Sequence, residues 1–345
     1  MNQSAWLDQV REEILEPELK ICDPHHHLWD VPDRPELSYL LPQLLADIGS
    51  GDGSADDSGH NVVSTVFMEC SSMYRAAGPQ ALRPVGETEF VNGVAAMSAS
   101  GLYGNSRVCA SIIGYADLNL GSRVGEVLDA HIAASARFKG IRHASAWDAS
   151  DAIRNAHTKP FQHMLADSTF REGFAELGRR NLTFDAWLYH PQIEELTALA
   201  QAFPDQPIVL DHLGGPIGIG EYASKQDELL VFWKQAIARL AQCPNVYAKL
   251  GGLVMPLRGF NLHKQERPAS SATLVELTKD FYLFMIDQFG PQRCMFESNF
   301  PMDKASCSYP ILWNSFKRIT KGFSAADKSA LYHDNAARLY DVRSV

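Results

Sequence analysis

The chain has no excess of positive charge. Its 31 Lys and Arg stand against 41 Asp and Glu, a formal net charge of −10. That balance opposes binding to phosphate backbones and anionic lipid surfaces, so nucleic acid is not an expected partner. Long apolar runs are missing too. The first helix-like stretch, Ala5 to Glu16, carries Asp8, Glu12 and Glu13, and the most apolar late one, Thr273 to Phe289, is broken by Glu276, Lys279, Asp280 and Asp287. The first does not resemble a secretory signal, and neither reads as a membrane span. The six cysteines (Cys22, Cys70, Cys109, Cys243, Cys294 and Cys307) contain no CxxC pair. Reduced, mostly buried thiols in a cytoplasmic protein are the simplest expectation.

What is present is a pattern of alternation. A hydrophobic fraction of 46% and a charged fraction of 21% belong to a globular chain that can bury a large core. Short apolar runs rich in β-branched residues recur at Leu19–Asp23, Val62–Glu69, Arg107–Tyr115, Phe138–His143, Leu182–Leu188, Pro207–Asp211, Val246–Leu250 and Arg293–Glu297. Helical periodicity lies between or after them at Glu87–Ser100, Arg123–Arg137, Thr169–Arg179, Gln192–Phe203, Glu228–Gln242, Thr273–Phe289, Ile311–Thr320 and Ala325–Tyr340. Strand–helix alternation predicts a parallel sheet with helical crossovers.

An open doubly wound sheet satisfies the same alternation, but it usually binds nucleotides through a glycine-rich first turn. Here the first strand runs into Asp23-Pro24-His25-His26-His27, with no phosphate-binding glycines. The expected fold is therefore a (β/α)8 TIM barrel, whose minimal form uses about 250 residues. All 345 residues then form one domain. Gly49–His60 is small and acidic and reads as a mobile surface loop, while the long connection Leu253–Ala272 is a candidate lid or binding loop.

In a barrel, side chains at the C-terminal strand ends converge on one mouth. Along an extended strand end, His25 and His27 point one way and His26 the other, a spacing suited to a pair of nitrogen ligands. Arg142 and His143 end the fourth strand, so at least one of them faces the mouth, where a guanidinium can grip a substrate carboxylate. Tyr74 and Arg75 follow the second strand and could do the same. Trp29, Trp147 and Trp187 lie near strand ends and can wall the pocket, although core packing is the default for each.

The stretch Asp23–Asp30 (DPHHHLWD) resembles the opening motif of the amidohydrolase-2 group of the amidohydrolase superfamily. Ile208–Pro216 (IVLDHLGGP) and Arg293–Pro301 (RCMFESNFP) resemble its sixth- and eighth-strand motifs, and Asn335–Tyr340 (NAARLY) fits its closing one. The resemblance implies a hydrolase acting on a small, anionic, carboxylated lactone or related ester. A lactone isomerase or metal-dependent decarboxylase in the same pocket, and an inactive barrel used for binding, are the competing readings. It also implies metal ligation by His25, His27 and His190, and a substrate or water contact by His212.

One position departs from the group's pattern. Where relatives carry Gly-Ser-Asp-Trp-Pro, with Asp as ligand and general base, this chain has Glu297-Ser298-Asn299-Phe300-Pro301. Asn cannot accept a proton from water, so the base is expected to be Asp303 or Glu69, with Asn299 ligating or orienting water. The loss of that carboxylate implies one weakly held Zn2+ or other divalent ion, and leaves metal-independent catalysis open. Assembly into a homo-oligomer is left open as well.

Overall fold

The computed structural model describes residues 3–49 and 59–342. Most of the expected mobile loop, Gly49–His60, lies outside the described residues. Eight parallel strands form one sheet in the order β1-β2-β3-β4-β5-β6-β7-β8. They are β1 (Ile21–His26), β2 (Val62–Met68), β3 (Arg107–Gly114), β4 (Phe138–Arg142), β5 (Thr183–Ala186), β6 (Ile208–Leu210), β7 (Val246–Leu250) and β8 (Cys294–Phe296). The chain just beyond β8 closes the sheet on β1: His27 donates its N–H to Phe300 O (2.8 Å), and Asn299 donates to His25 O (2.9 Å). This is the TIM barrel that the alternation predicts.

Helices cover the outside. In chain order they are α1 (Gln3–Leu7), α2 (Leu41–Ile48), α3 (Val85–Ala99), α4 (Val124–Ala134), α5 (Ser168–Gly178), α6 (Ile193–Ala202), α7 (Gln226–Leu240), α8 (Ser271–Phe289), α9 (Tyr309–Ile319), α10 (Ala325–Ser329) and α11 (Asn335–Leu339). Asp167 caps α5 by accepting from Thr169 N and Phe170 N, and Ser270 caps α8 by accepting from Thr273 N. None of the described helices is long and apolar enough to cross a membrane.

The expected helix Ala5–Glu16 stops at Leu7. Beyond it the backbone is taken by α9 instead: Asn314 accepts from Leu15 N, and buried Lys317 donates to Leu15 O and Glu16 O. The last predicted helix, Ala325–Tyr340, is divided by a π turn over Ala330–Asp334. There Asn335 donates to Pro291 O and Cys294 O, which ties α11 beneath β8 and sends Tyr340 into the barrel. Helix α2 is one that the sequence pattern did not reveal.

Residue parity organises the barrel interior. Cys22, Val66, Met68, Ile113, Val209 and Met295 form an apolar cluster closed from below by Ala336 and Tyr340. Because side chains alternate along a strand, residues two positions further on return to the interior one layer higher. Val209 is thus followed by Asp211, Met295 by Glu297, and Tyr247 by Lys249. Strand β1 obtains the same result through an extra residue: Asp23 pairs with Thr65 and His26 with Phe67, so the strand bulges around Pro24. The bulge leaves Asp23 facing Tyr309 of α9 (3.0 Å) and His25 facing inward.

Candidate active site

The polar layer above that floor is built around one carboxylate. Glu297 Oε1 accepts from His212 Nδ1 (2.6 Å), and its Oε2 lies 2.7 Å from His25 Nδ1. His27 donates its Nδ1 proton to Met68 O (2.9 Å). With these acceptors assigning the tautomers, His27 and His212 carry hydrogen on Nδ1 and keep the Nε2 lone pair free, whereas at His25 the Arg142 guanidinium faces Nε2. Their rings are neighbours, with His25 centroids 5.0 Å from His27 and 4.5 Å from His212. Burial, with Lys249 adding to it, holds His25 neutral, well below the usual histidine range. Burial followed by the Arg142 charge does the same for His27.

Two fixed cations complete the layer. Lys249, wholly buried, donates to Asp185 Oδ1 (2.7 Å) and lies 3.1 Å from Asp211 Oδ1 and 3.4 Å from His25 Nδ1. Burial works against its charge, but Asp185 and Asp211 outweigh that and raise its pKa, so it stays an ammonium ion. Tyr340 reaches up from the floor to donate to Asp185 (2.6 Å). Arg142 donates from Nε to Glu69 Oε1 (2.8 Å) and from Nη2 to Glu69 O (2.5 Å). Its Nη1 lies 3.3 Å from His25 Nε2 and 3.7 Å from Asp211 Oδ2. At the rim, His157 meets the other oxygen of Glu69 (3.1 Å) from the loop after β4.

A family model described as amidohydrolase matches residues 22–342, nearly the whole chain. The chain belongs to the amidohydrolase family. An uncharacterized protein of Sinorhizobium fredii is 34% identical over 336 residues, covering 94% of this chain and 99% of that protein. An L-fucono-1,5-lactonase of Burkholderia multivorans is 30% identical over 226 residues, covering 61% of this chain and 72% of the lactonase. Among solved structures, an amidohydrolase from Burkholderia multivorans with bound zinc superimposes with a TM-score of 0.67 at 24% identity, covering 93% of this chain and 99% of that one. This amidohydrolase is accordingly a hydrolytic enzyme.

Its side chains fit a divalent metal ion. His25, Asp211 and His212 offer ligand atoms within 4.8 Å of one another, and the buried Asp211 oxygens make ion-pair contacts with Lys249 (3.1 Å) and Arg142 (3.7 Å) but no well-formed hydrogen bond. The pinned Nδ1 atoms are the arrangement that metal-binding imidazoles adopt. Charge agrees: among the described residues, buried Glu69, Asp185, Asp211 and Glu297 face only Lys249 and Arg142 as fixed cations. His27 adjoins this group. His190 does not join it: its Nδ1 accepts from Ile217 N (3.4 Å), and its ring packs against Tyr222 (5.1 Å) and Phe232 (6.0 Å).

The other expected site residues divide sharply. Asn299 donates to Asp303 Oδ1 (3.1 Å), and both are buried. Burial raises the Asp303 pKa well above its ordinary value in spite of that bond, which disfavours the free carboxylate that a general base needs. Glu69 fails for the opposite reason. Burial alone would raise it, but Arg142 and His157 outweigh burial and hold it at about 2. His143 points away from Arg142 into the helical layer, where it accepts from Leu118 N (3.2 Å) and meets Tyr115 and Phe170. Arg75 is spent on Glu89 at the surface, and the Tyr74 hydroxyl is buried without a partner. Trp187 stands edge-on to His212 (4.8 Å), and Trp29 lies 6.2 Å from His27.

Behind the rim, Glu87 of α3 accepts from Cys70 N (3.0 Å) and Ser72 N (2.7 Å), shaping the turn that carries Glu69. Burial, then the Glu69 charge, raises Glu87 to about 8. The folded chain therefore keeps a proton that the unfolded chain sheds near its ordinary pKa of about 4.3. The stability this contributes falls as pH rises from about 4.3 to about 8. Glu87→Gln keeps the acceptor oxygen and should flatten the decline in melting temperature between roughly pH 5 and 8. An unaltered slope in thermal melts of the variant would assign the decline to other groups.

Proposed function

We propose that the enzyme adds water to the carbonyl of a small lactone bearing a carboxylate. The observation that carries this reading is the His212–Glu297 pair. Glu297 fixes the His212 tautomer, so His212 Nε2 presents a lone pair that takes a proton from water as it attacks the carbonyl. Arg142 Nη1, held in place from behind by Glu69, donates to the oxygen on which negative charge develops. Trp187 and Trp29 exclude bulk water from the acyl carbon. When His212 Nε2 returns its proton to the ring oxygen, the lactone opens to a hydroxy acid.

A metal ion on His25, Asp211 and His212, zinc being the fitting choice for such donors, would supply Lewis-acid polarisation of the carbonyl. A ligating Nε2 cannot also take a proton, so His212 serves one of these purposes at a time. Arg142 Nη1, beside His25 Nε2, opposes a second positive charge there, which supports weak metal retention. The L-fucono-1,5-lactonase relative supports the lactone as substrate class.

Purified protein assayed on a panel of sugar 1,5-lactones and carboxylated lactones, with and without added zinc and chelator, tests the proposal. Turnover of at least one lactone is expected, and none across the panel would overturn it. Arg142→Met is expected to lower kcat on every cleaved lactone, carboxylated or neutral, by about 100-fold, the scale of losing one oxyanion donor. A rise in KM confined to carboxylated lactones, with kcat retained, would move Arg142 from the oxyanion to substrate binding.

A further inference from the structure

Beside the mouth, the loop after β6 and the loop after β7 enclose a groove of about 500 Å3, lined by Gly218, Ile219, Gln226, Arg258, Phe260 and Asn261 among others. Its walls approach closely at the backbone, because Gly218 N donates to Leu257 O (2.9 Å) and a Cβ on Gly259 would stand 2.4 Å from Gly218 O. Gly259 is also held at φ +83, so a side chain there is excluded twice over.

The guanidinium of Arg258 lines this groove between two aromatic rings, its Cζ 5.0 Å from the centroid of Phe260 and 5.0 Å from that of Phe281. One of its nitrogens donates to Gln226 Oε1, while Nε is buried with no hydrogen-bond partner. Among the described residues no carboxylate is paired with it, although the chain has ten more acidic than basic side chains. Burial accordingly lowers the Arg258 pKa with no opposing anion to restore it. The nearby carboxylate, Asp148, is taken by Tyr222 (2.7 Å) and Ser150 N (2.8 Å). Burial, partly offset by the Asp148 charge, holds neighbouring His190 at about 4, so the ring is neutral and does not repel an anion.

Contact with the two rings accounts for the place of the guanidinium, but not for its lack of a counter-charge. A partly buried cation normally carries its counter-charge with it. We infer that the groove is an anion subsite in which Arg258, held between Phe260 and Phe281, takes the carboxylate of a small organic acid. Such an anion has two sources: the distal end of the substrate itself, or a free carboxylate acting from outside the reacting centre.

The test begins with succinate alone. Isothermal titration of the wild-type protein should give a saturable succinate site that Arg258→Gln weakens by tenfold or more, with Arg258→Lys in between. Wild-type crystals soaked in succinate, which depend on no variant folding, should show a carboxylate on Arg258. Unchanged affinity in Arg258→Gln, or an empty groove at saturating succinate, overturns the subsite. Neither measurement depends on lactone turnover, so their failure is separate from failure of the proposed reaction.

The two sources are separated by kinetics, an arm that rests on the lactonase reading. If the site serves the substrate, succinate competes with a carboxylated lactone and Arg258→Gln raises KM with kcat retained. If it serves a free anion, succinate changes turnover of a neutral lactone without competing.

Discussion

His212→Gln is expected to lower kcat on the cleaved lactone by on the order of 1,000-fold, the scale of losing a general base, with a much smaller change in KM. Glu297→Gln provides the sharper comparison, because Glu297 faces two imidazoles through its two oxygens. A glutamine keeps one acceptor and replaces the other with an NH2 group, so one of the two rings must turn to its other tautomer. A loss of about 100-fold is expected, in the range seen when a partner that orients an imidazole is removed. If both variants retain near-normal kcat under chelation, His212 is not the base.

Lys249→Met should produce the largest effect on stability. It leaves Asp185 and Asp211 buried without their ammonium partner, and breaking a buried ion pair from one side costs about 3–5 kcal/mol. Chemical denaturation read by fluorescence should show the midpoint fall accordingly. Adding Asp185→Asn should recover part of it, since one stranded charge is then gone. A midpoint equal to the wild type in Lys249→Met would mean that water or rearrangement already compensates this layer.

The barrel was readable because β-branched runs and helical periodicity alternate so regularly that each of the eight strands overlaps its expected position. The histidines of the mouth were readable from HxH spacing and from the sixth-strand motif, and Arg142 from its place at a strand end. The centre of the site was not. Asp185, Lys249 and Glu297 sit inside or at the edge of apolar runs, where a charge looks like the end of a strand. Counting by twos from Val209, Tyr247 and Met295 would have placed Asp211, Lys249 and Glu297 in the interior, since side-chain parity is fixed by the pleat. Residues beyond strand ends are less constrained. His190 and Arg75 lie in turns whose direction depends on distant partners, Ile217 and Glu89, and no local pattern encodes those.

Closure of the barrel runs through the chemistry. The contacts that join the end of β8 to β1 are Asn299 N to His25 O, His27 N to Phe300 O, and Ser298 N to Asp23 Oδ1 (2.9 Å). Glu297 lies on one side of this seam and His25 and His27 on the other. Loosening it on warming would part the carboxylate from the His25 imidazole while the helices around the other strands stay wound. Enzymatic turnover therefore acts as a thermometer of the seam: on slow heating it should disappear several degrees before the helical circular dichroism signal does.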